Sequence, residues 1–413
     1  MKIAVVGAGV AGLTCAAALH AGHDLTLFER EAHLGGHART VDVEHEQRRL
    51  AVDTGFIVYN ERNYPAFTAM LARLGVETQP APMTFSVRND ADGFEFGGTA
   101  LGLFAQPSNL FSLRHWRLLA GIRGLGREGK ALLAAAPPEM TIGDLCASGR
   151  LSRDVLDRYL LPMASAIWSA PREGLMDFPV RFFLRFFDNH GMLDLRERPR
   201  WRTIAGGSRE YVARLVEPFR ARCRTGCQVR TIRRQAGEVV IESSAGRESF
   251  DQVILACHAD EALEMLDDVR TPERAILGAM PFQSSDTVLH RDARALPRSR
   301  RAWSGWNYRV RAVESGGPSV TYNLTMLQTL RTRVPICVTL NDRSLIDPGA
   351  VLGRFDYHHP QYTVAGMAAR ARWREISGLE HRTHYCGAYW FNGFHEDGVQ
   401  SGLRVAAAFG AAA

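Results

Sequence analysis

Residues 2–6, "KIAVV", form an apolar run of strand length, and the pattern changes abruptly after it. Gly7-Ala8-Gly9-Val10-Ala11-Gly12 follows, then the small-residue stretch "LTCAAALHAG" and a second strand pattern, "DLTLFER", ending near Glu29. This is a strand–turn–helix–strand unit. "NYPAFTAMLARLGV" predicts a helix with Pro65 in its first turn, Gly75 past its end, and Phe67, Met70, Leu71 and Leu74 on a core face. From about 81 to 198 the pattern turns helical, in "SLRHWRLLAGIRGLGREGKALLAAAPP" and "LSRDVLDRYLLPMASAIW". "FPVRFFLRFFDNHG" sets Phe182, Phe183, Phe186 and Phe187 on one helix face, which packs, lines an apolar substrate or meets a membrane. "IAGGSREYVARLVEPF" restarts regular structure, with Ser208 as a helix N-cap and Tyr211, Val212, Leu215, Val216 and Phe219 inward. Alternating strands then run to "DQVILAC", with turns at "QAGE" and "SAGR". Further strands, "DTVLH", "SVTYNLTML" and "PICVTL", lie beyond 263, and a helix "VQSGLRVAAAFG" closes the chain. The pattern predicts an α/β (α+β overall) protein in which a Rossmann-like domain, residues 1–80, 199–262 and 376–413, is interrupted by a mixed sheet-and-helix substrate domain, residues 81–198 and 263–375.

Composition narrows the classes. With 46% hydrophobic and 23% charged residues, the chain reads as a soluble globular protein. Its formal charge of +6 comes from arginine, because only Lys2 and Lys130 are lysines. No basic block with interleaved aromatics marks a nucleic-acid partner. The seven cysteines form no framework, and the Cys223/Cys227 pair has no second ligand pair, so no metal is expected. A strand starting at Lys2 leaves no room for a secretory signal, so a cytoplasmic location is expected. The longest uncharged run, 96–113, is broken by "QPSN" and does not read as a membrane span. Peripheral contact with a membrane surface stays open.

The first unit carries the chemistry. A GxGxxG between strand and helix, with an acid about 17 residues after its last glycine, is a dinucleotide site. Gly7 permits the tight turn, Gly9 lets backbone approach a pyrophosphate, and Gly12 lets helix pack on strand. Val10 and Ala11 open the helix whose N-terminus faces the phosphates. Glu29 is placed for ribose hydroxyls, which favours FAD or NAD over NADP. In "REAHLGGHART" Gly36 supplies permissive backbone and His37 and Arg39 can reach phosphate oxygens, Arg30 and Gly36 counting with them as cofactor-binding, and Gly55-Phe56 in "LAVDTGFIVYN" can lie against a ring system. Near the other end, "YCGAYWFNGFHEDGVQSG" is dense in glycine and aromatics.

Together "GAGVAGL", Glu29, "LGGHART", "DTGF", "IAGGSREYVARL" and "FNGFHEDGVQSG" resemble the flavin-dependent amine oxidase and phytoene desaturase superfamily. Gly393, Glu396, Val399 and Gly402 are identical to its closing motif. The resemblance implies FAD and a Rossmann-like FAD-binding domain of the glutathione-reductase/amine-oxidase type. It implies that Val229 backbone holds adenine and that Gly387, Ala388, Asp397, Gly398 and Val399 stand beside the flavin, with a helix N-terminus at the N1–C2=O edge. Departures speak against amine oxidation. The lysine that amine oxidases keep near flavin N5 has no counterpart, Phe394 lacks the hydroxyl of an amine-cage aromatic, and Tyr389 replaces a ribityl-side glutamate. His395 and Asp397 stand where Met and Gly are usual. Narrower stretches, "GFIVYNERNYPAF", "VLHRDARALPRSRRAWSGWNY", "VTLN" and "CGAYWFNGFHEDGVQSG", resemble bacterial FAD oxidoreductases associated with cyclopropane-type fatty-acid methyltransferases and the flavoprotein-like part of plant cyclopropane synthases. That implies a lipid acyl substrate, a lipid methyltransferase partner, and desaturation of a methylated fatty acyl chain on the route to furan fatty acids.

Such chemistry needs a hydride acceptor, a dry channel and one base. His395 and Glu396 are the base candidates. Glu396 could equally orient backbone, and His395 could be a satisfied core histidine. Tyr389, Trp390 and Phe394 could wall the site, with His290, Trp303, Trp306 and Tyr308 as substrate-domain candidates. Cys386 could tether flavin or simply pack. A double-bond isomerase, an amine oxidase and a non-catalytic flavoprotein partner of the methyltransferase are the alternatives.

Overall fold

A computed structural model of the 413-residue chain describes residues 1–193, 199–311 and 317–411. At its centre lies a parallel five-stranded sheet, ordered Cys223–Arg224, Asp24–Phe28, Lys2–Val6, Gln252–Leu255, Thr383–Tyr385. Lys2–Val6 sits in the middle, with Ile3, Ala4 and Val5 fully buried. A strand covered on both faces needs a continuous apolar run rather than alternation, and this one has it. The helix Val10–Leu19 that follows is apolar nearly all round, so it must be covered on two sides. The strand sheet covers one side, and the last helix, His395–Ala407, covers another.

The last helix starts earlier than the sequence pattern predicts. Asp397 Oδ2 accepts the Phe394 N–H at 2.9 Å, and this cap sets the first turn at His395 rather than at Gly398. Ser208 also departs from expectation: its hydroxyl makes no cap and donates to Asp53 Oδ1 at 2.7 Å. A buried carboxylate competes better for that hydroxyl than a helix end does.

The second body is a seven-stranded sheet, ordered Val351–Pro360, Phe282–His290, Cys337–Leu340, Ser319–Asn323, Trp306–Val310, Phe85–Asn89, Glu95–Gly97. Among the described strands of this sheet, only Trp306–Val310 with Phe85–Asn89 pairs in parallel. Beside it stands a helical lobe that includes Leu113–Ala135, Leu161–Trp168 and Val180–Asn189. Phe183, Phe186 and Phe187 of the last of these are buried, Phe183 and Phe186 against Trp168 and Phe187 against Phe183, so this aromatic face packs in the core, and Phe186 also reaches a cavity wall. No helix among the described residues is long and apolar enough to cross a membrane.

Candidate active site

A cavity of about 1130 Å³ runs from the glycine turn, past both sheets, into the helical lobe. That exceeds the roughly 300–1,000 Å³ of a single small-ligand pocket. At one end the wall is the turn after the first strand. Gly7 has φ +106°, and a Cβ there would lie 2.8 Å from the Ala256 carbonyl oxygen. A Cβ on Gly12 would lie 2.0 Å from the Gly7 oxygen, so Gly12 serves helix–turn packing and is not on the cavity wall. A Cβ on Gly9 meets nothing within 4 Å. The space beside Gly9 is therefore open for a ligand to approach the backbone. Val10, Ala11 and Val229 line this end with it.

Glu29 stands at the same end. Its Oε2 accepts the Ala8 N–H at 2.8 Å and its Oε1 the Glu31 N–H at 2.9 Å, while burial raises its pKa. Arg30 pairs with Glu261 at 2.6 Å.

Three loops lie side by side along the next stretch. Gly35 N–H donates to Ala8 O, and Gly36 (φ +56°) comes so close to Gly9 that an added Cβ would be 3.1 Å from the Gly9 Cα. Gly55 is likewise pinned, since a Cβ there would lie 2.3 Å from the His37 oxygen, which accepts the Phe56 N–H at 2.7 Å. One buried carboxylate ties the loops together. Asp53 Oδ1 accepts from Thr40 and from both the N–H and hydroxyl of Ser208, and Oδ2 accepts from Gln328 at 3.1 Å. Burial lifts its pKa to about 6. Arg39 lies over the Phe355 ring at 4.9 Å and is in no ion pair with a described residue. His37 is surrounded by Tyr357, His359 and His258, with ring centroids at 4.9, 5.6 and 6.5 Å. Burial, with the neighbouring histidines, holds its pKa well below normal.

The closing motif divides. Gly387, Ala388, Tyr389, Phe394 and His395 reach the cavity wall. Trp390, Asp397, Gly398 and Val399 do not. Trp390 is core, Asp397 is the helix cap, Val399 is buried, and Gly398 packs so tightly on the first helix that a Cβ would lie 2.5 Å from Val10 Cγ1. The expectation that the helix start at Gly398-Val399 faces the ligand fails because the helix begins one turn earlier. Glu396 is also off the wall. Its oxygens accept the Ala66 and Phe67 N–H groups at 3.1 and 2.9 Å, capping the helix Pro65–Arg73, and Gln400 occupies one oxygen at 2.8 Å. His395 stacks on Phe56 at 3.7 Å, its Nε2 meets the Tyr211 hydroxyl at 2.7 Å, and burial pushes its pKa down to about 3. It is neutral at any working pH.

Beyond Phe394 the wall becomes apolar. Phe85, Phe96, Leu103, Leu119, Ile122, Tyr159, Met163, Ile167, Phe186, Trp306 and Tyr322 line it. Trp306 Nε1 is a buried donor without a partner among the described residues. His290 lies elsewhere: buried in the seven-stranded sheet, it bonds Thr339 at 2.7 Å and accepts the Asp292 N–H at 3.1 Å. It is not brought to the cavity. Cys386 is core, its thiol pushed up to about 12 by burial.

Sequence reasoning missed the edge strand Val351–Pro360, whose residues 354–360 form a wall, and also His190. The "FDYHHP" run, polar and aromatic where a core strand would be aliphatic, was the available signal. His190 Nδ1 meets the Phe186 carbonyl at 2.9 Å, and burial lowers its pKa to about 4.

The profile of the flavin-containing amine oxidoreductase family matches residues 10–317, from the start of the first helix to just past the strand Trp306–Val310. The chain belongs to that family. No curated protein sequence matches it. Among solved structures, it resembles putrescine oxidase bound to putrescine (TM-score 0.72, 14% identity, 100% of this chain and 99% of that one). Cyclohexylamine oxidase from Brevibacterium oxydans gives 0.68, 14%, and 98% of each chain. A fatty acid isomerase from P. acnes, described as producing CLA, gives 0.67, 17%, and 99% and 98%. At such identities the likeness concerns the fold. This amine oxidoreductase-family enzyme is an FAD-dependent oxidoreductase. Its residues suit FAD: open space at Gly9, a half-buried acid at Glu29, a guanidinium at Arg39 in no ion pair with a described residue, and a cavity too large for one small ligand.

Proposed function

We propose that this oxidoreductase dehydrogenates the acyl chain of a lipid, a methyl-branched unsaturated chain fitting best. The observation that carries this reading is the continuation of the FAD cavity into a wall of aliphatic and aromatic side chains. Glycines 7 and 9, Glu29, Arg39 and Val229 would hold FAD, which supplies hydride acceptance when bound. No lysine lines the cavity: Lys2 stands over Phe250 on the first strand, and Lys130 is exposed on the helix Leu113–Ala135. This disfavours amine oxidation. An allylic C–H beside a methyl branch is a competent hydride donor because the branch stabilises the positive charge that develops. The aromatic wall exclude water and lies against that charge. Proton removal falls to His190. A carbonyl can only accept, so the His190 contact with Phe186 O fixes the proton on Nδ1 and leaves the Nε2 lone pair free. A pKa of about 4 makes it a weak base, which is sufficient for a proton beside a cationic carbon.

The test mixes the FAD-loaded enzyme, without oxygen, with methyl-branched unsaturated phospholipid and, separately, with simple amines. Bleaching by lipid with a conjugated diene in the extract is expected, and His190→Gln should slow bleaching by on the order of a hundredfold. Bleaching by amines alone refutes the reading. A rearranged lipid with the flavin left oxidised would make the enzyme an isomerase instead.

A further inference from the structure

We propose that the surface formed by the short helix Ala100–Leu103, residues 110–111 and the start of the helix Leu113–Ala135 docks on an anionic phospholipid bilayer, from which the acyl chain enters the cavity. The inference rests on the lipid reading above. Large apolar side chains are exposed in a cluster here: Phe111 at 91%, Leu101 at 73%, Leu113 at 63%, with Leu110 and Trp116 each at 48%. Single exposed apolar residues need no explanation, but a contiguous group does. The group is held together. Trp116 Nε1 donates to the Leu110 carbonyl at 2.9 Å, and the Trp116 ring lies 5.3 Å from Phe104 in the turn after Leu103.

Charge identifies the occupant. Residues 96–127 contain no Asp or Glu. Arg114 is neutralised by Asp154 at 2.6 Å, but Arg117 and Arg123 are exposed and pair with no described residue. Arg300 and Arg301, also exposed, sit on the short helical turn packed against Ala100–Leu103. An apolar group rimmed by arginines suits an anionic membrane, whose headgroups take the cations while the acyl region takes the side chains.

The cavity reaches the same place. Leu103, Leu119, Ile122 and Arg123 belong both to these helices and to the cavity wall, and Arg123 is exposed. A chain leaving the bilayer at this surface would meet the apolar end of the cavity first and its reactive part second. The aromatic helix Val180–Asn189 cannot serve this role, because its phenylalanine face is core.

The FAD-loaded enzyme would be sedimented with phosphatidylcholine vesicles and with vesicles that also contain phosphatidylglycerol. Retention on the anionic vesicles is expected, weakened by salt. The double variant Phe111→Asp/Leu113→Asp should lose roughly tenfold or more of that retention with an unchanged melting temperature, since both side chains are exposed. Failure of the wild type to sediment with either vesicle, or equal retention of the variant, overturns the proposal. So does a wild-type dimer that the variant converts to monomer, which would mean a second copy covers the patch. Turnover of detergent-dispersed lipid separates the two readings. Vesicle binding that fails while dispersed lipid still bleaches the flavin defeats docking alone; binding that holds with no bleaching supports docking and defeats lipid dehydrogenation.

Discussion

Glu396 shows how a motif residue acquires its role from its neighbours. Identity with the family's closing motif makes it a base candidate, yet both of its oxygens are committed to the N-terminus of the helix Pro65–Arg73. A carboxylate there answers two unpaired N–H groups and the positive end of the helix at once. Glu396→Gln should therefore lower stability by about 1–2 kcal/mol, because its amide nitrogen cannot accept from a backbone N–H. Turnover per folded, FAD-loaded molecule should stay within a few-fold, whereas loss of a base costs about 10²–10⁴. Thermal melting and single-turnover bleaching of the same preparation separate these outcomes. Asp53 makes the complementary point. "HART", "DTGF" and "AGGS" are legible one by one, but only the fold brings Thr40 and Ser208 onto the Asp53 carboxylate.

At the scale of elements, the contact between the first and last helices holds the glycine-turn end of the cavity in shape. Gly402 faces the first helix so closely that a Cβ would lie 2.4 Å from the Ala11 carbonyl oxygen, a backbone atom with little freedom to move. Gly402→Ala should cost about 1–3 kcal/mol and weaken FAD retention, because the strain falls on the helix that presents Val10 and Ala11. Gly124 is the control. It lies in the exposed part of the helix Leu113–Ala135 with nothing within 4 Å of an added Cβ, so Gly124→Ala should stabilise by about 0.5–1 kcal/mol. Melting curves of the two variants should move in opposite directions.

The whole molecule buries several histidines in neutral form. Burial lowers His190, His290, His359 and His384 to about 4 and His395 to about 3, from 6.5. Between about 4 and 6.5 the unfolded chain takes up protons that the folded chain refuses, so their contribution to stability is lost as pH falls through that window. Asp53 and Asp397, raised to about 6 from 3.8, act oppositely: the folded state holds their protons, and stability is lost as pH rises toward 6. Five histidines oppose two aspartates. The melting temperature should drop between pH about 7 and about 5, and a flat or rising profile would contradict the balance. His290 and His384 lie off the cavity wall, so the drop should persist with FAD bound.

The features readable from the chain alone were local and backbone-driven. A buried strand, a turn that needs glycine for close approach, a small-residue helix and an acid at fixed spacing can be recognised without knowing what lies opposite, because their constraints act within about thirty residues. The helix Pro65–Arg73 and the inward face of the helix Arg209–Val216 are of the same kind. Tertiary structure alone decided which polar side chains are spent and which remain available. Glu396 and Asp397 went to helix caps, Ser208 to a buried carboxylate and His290 to a sheet hydroxyl, while His190 and the strand Val351–Pro360 came to the cavity. A side chain's chemistry is fixed by its type, but its availability depends on partners hundreds of residues away, and no spacing rule encodes them.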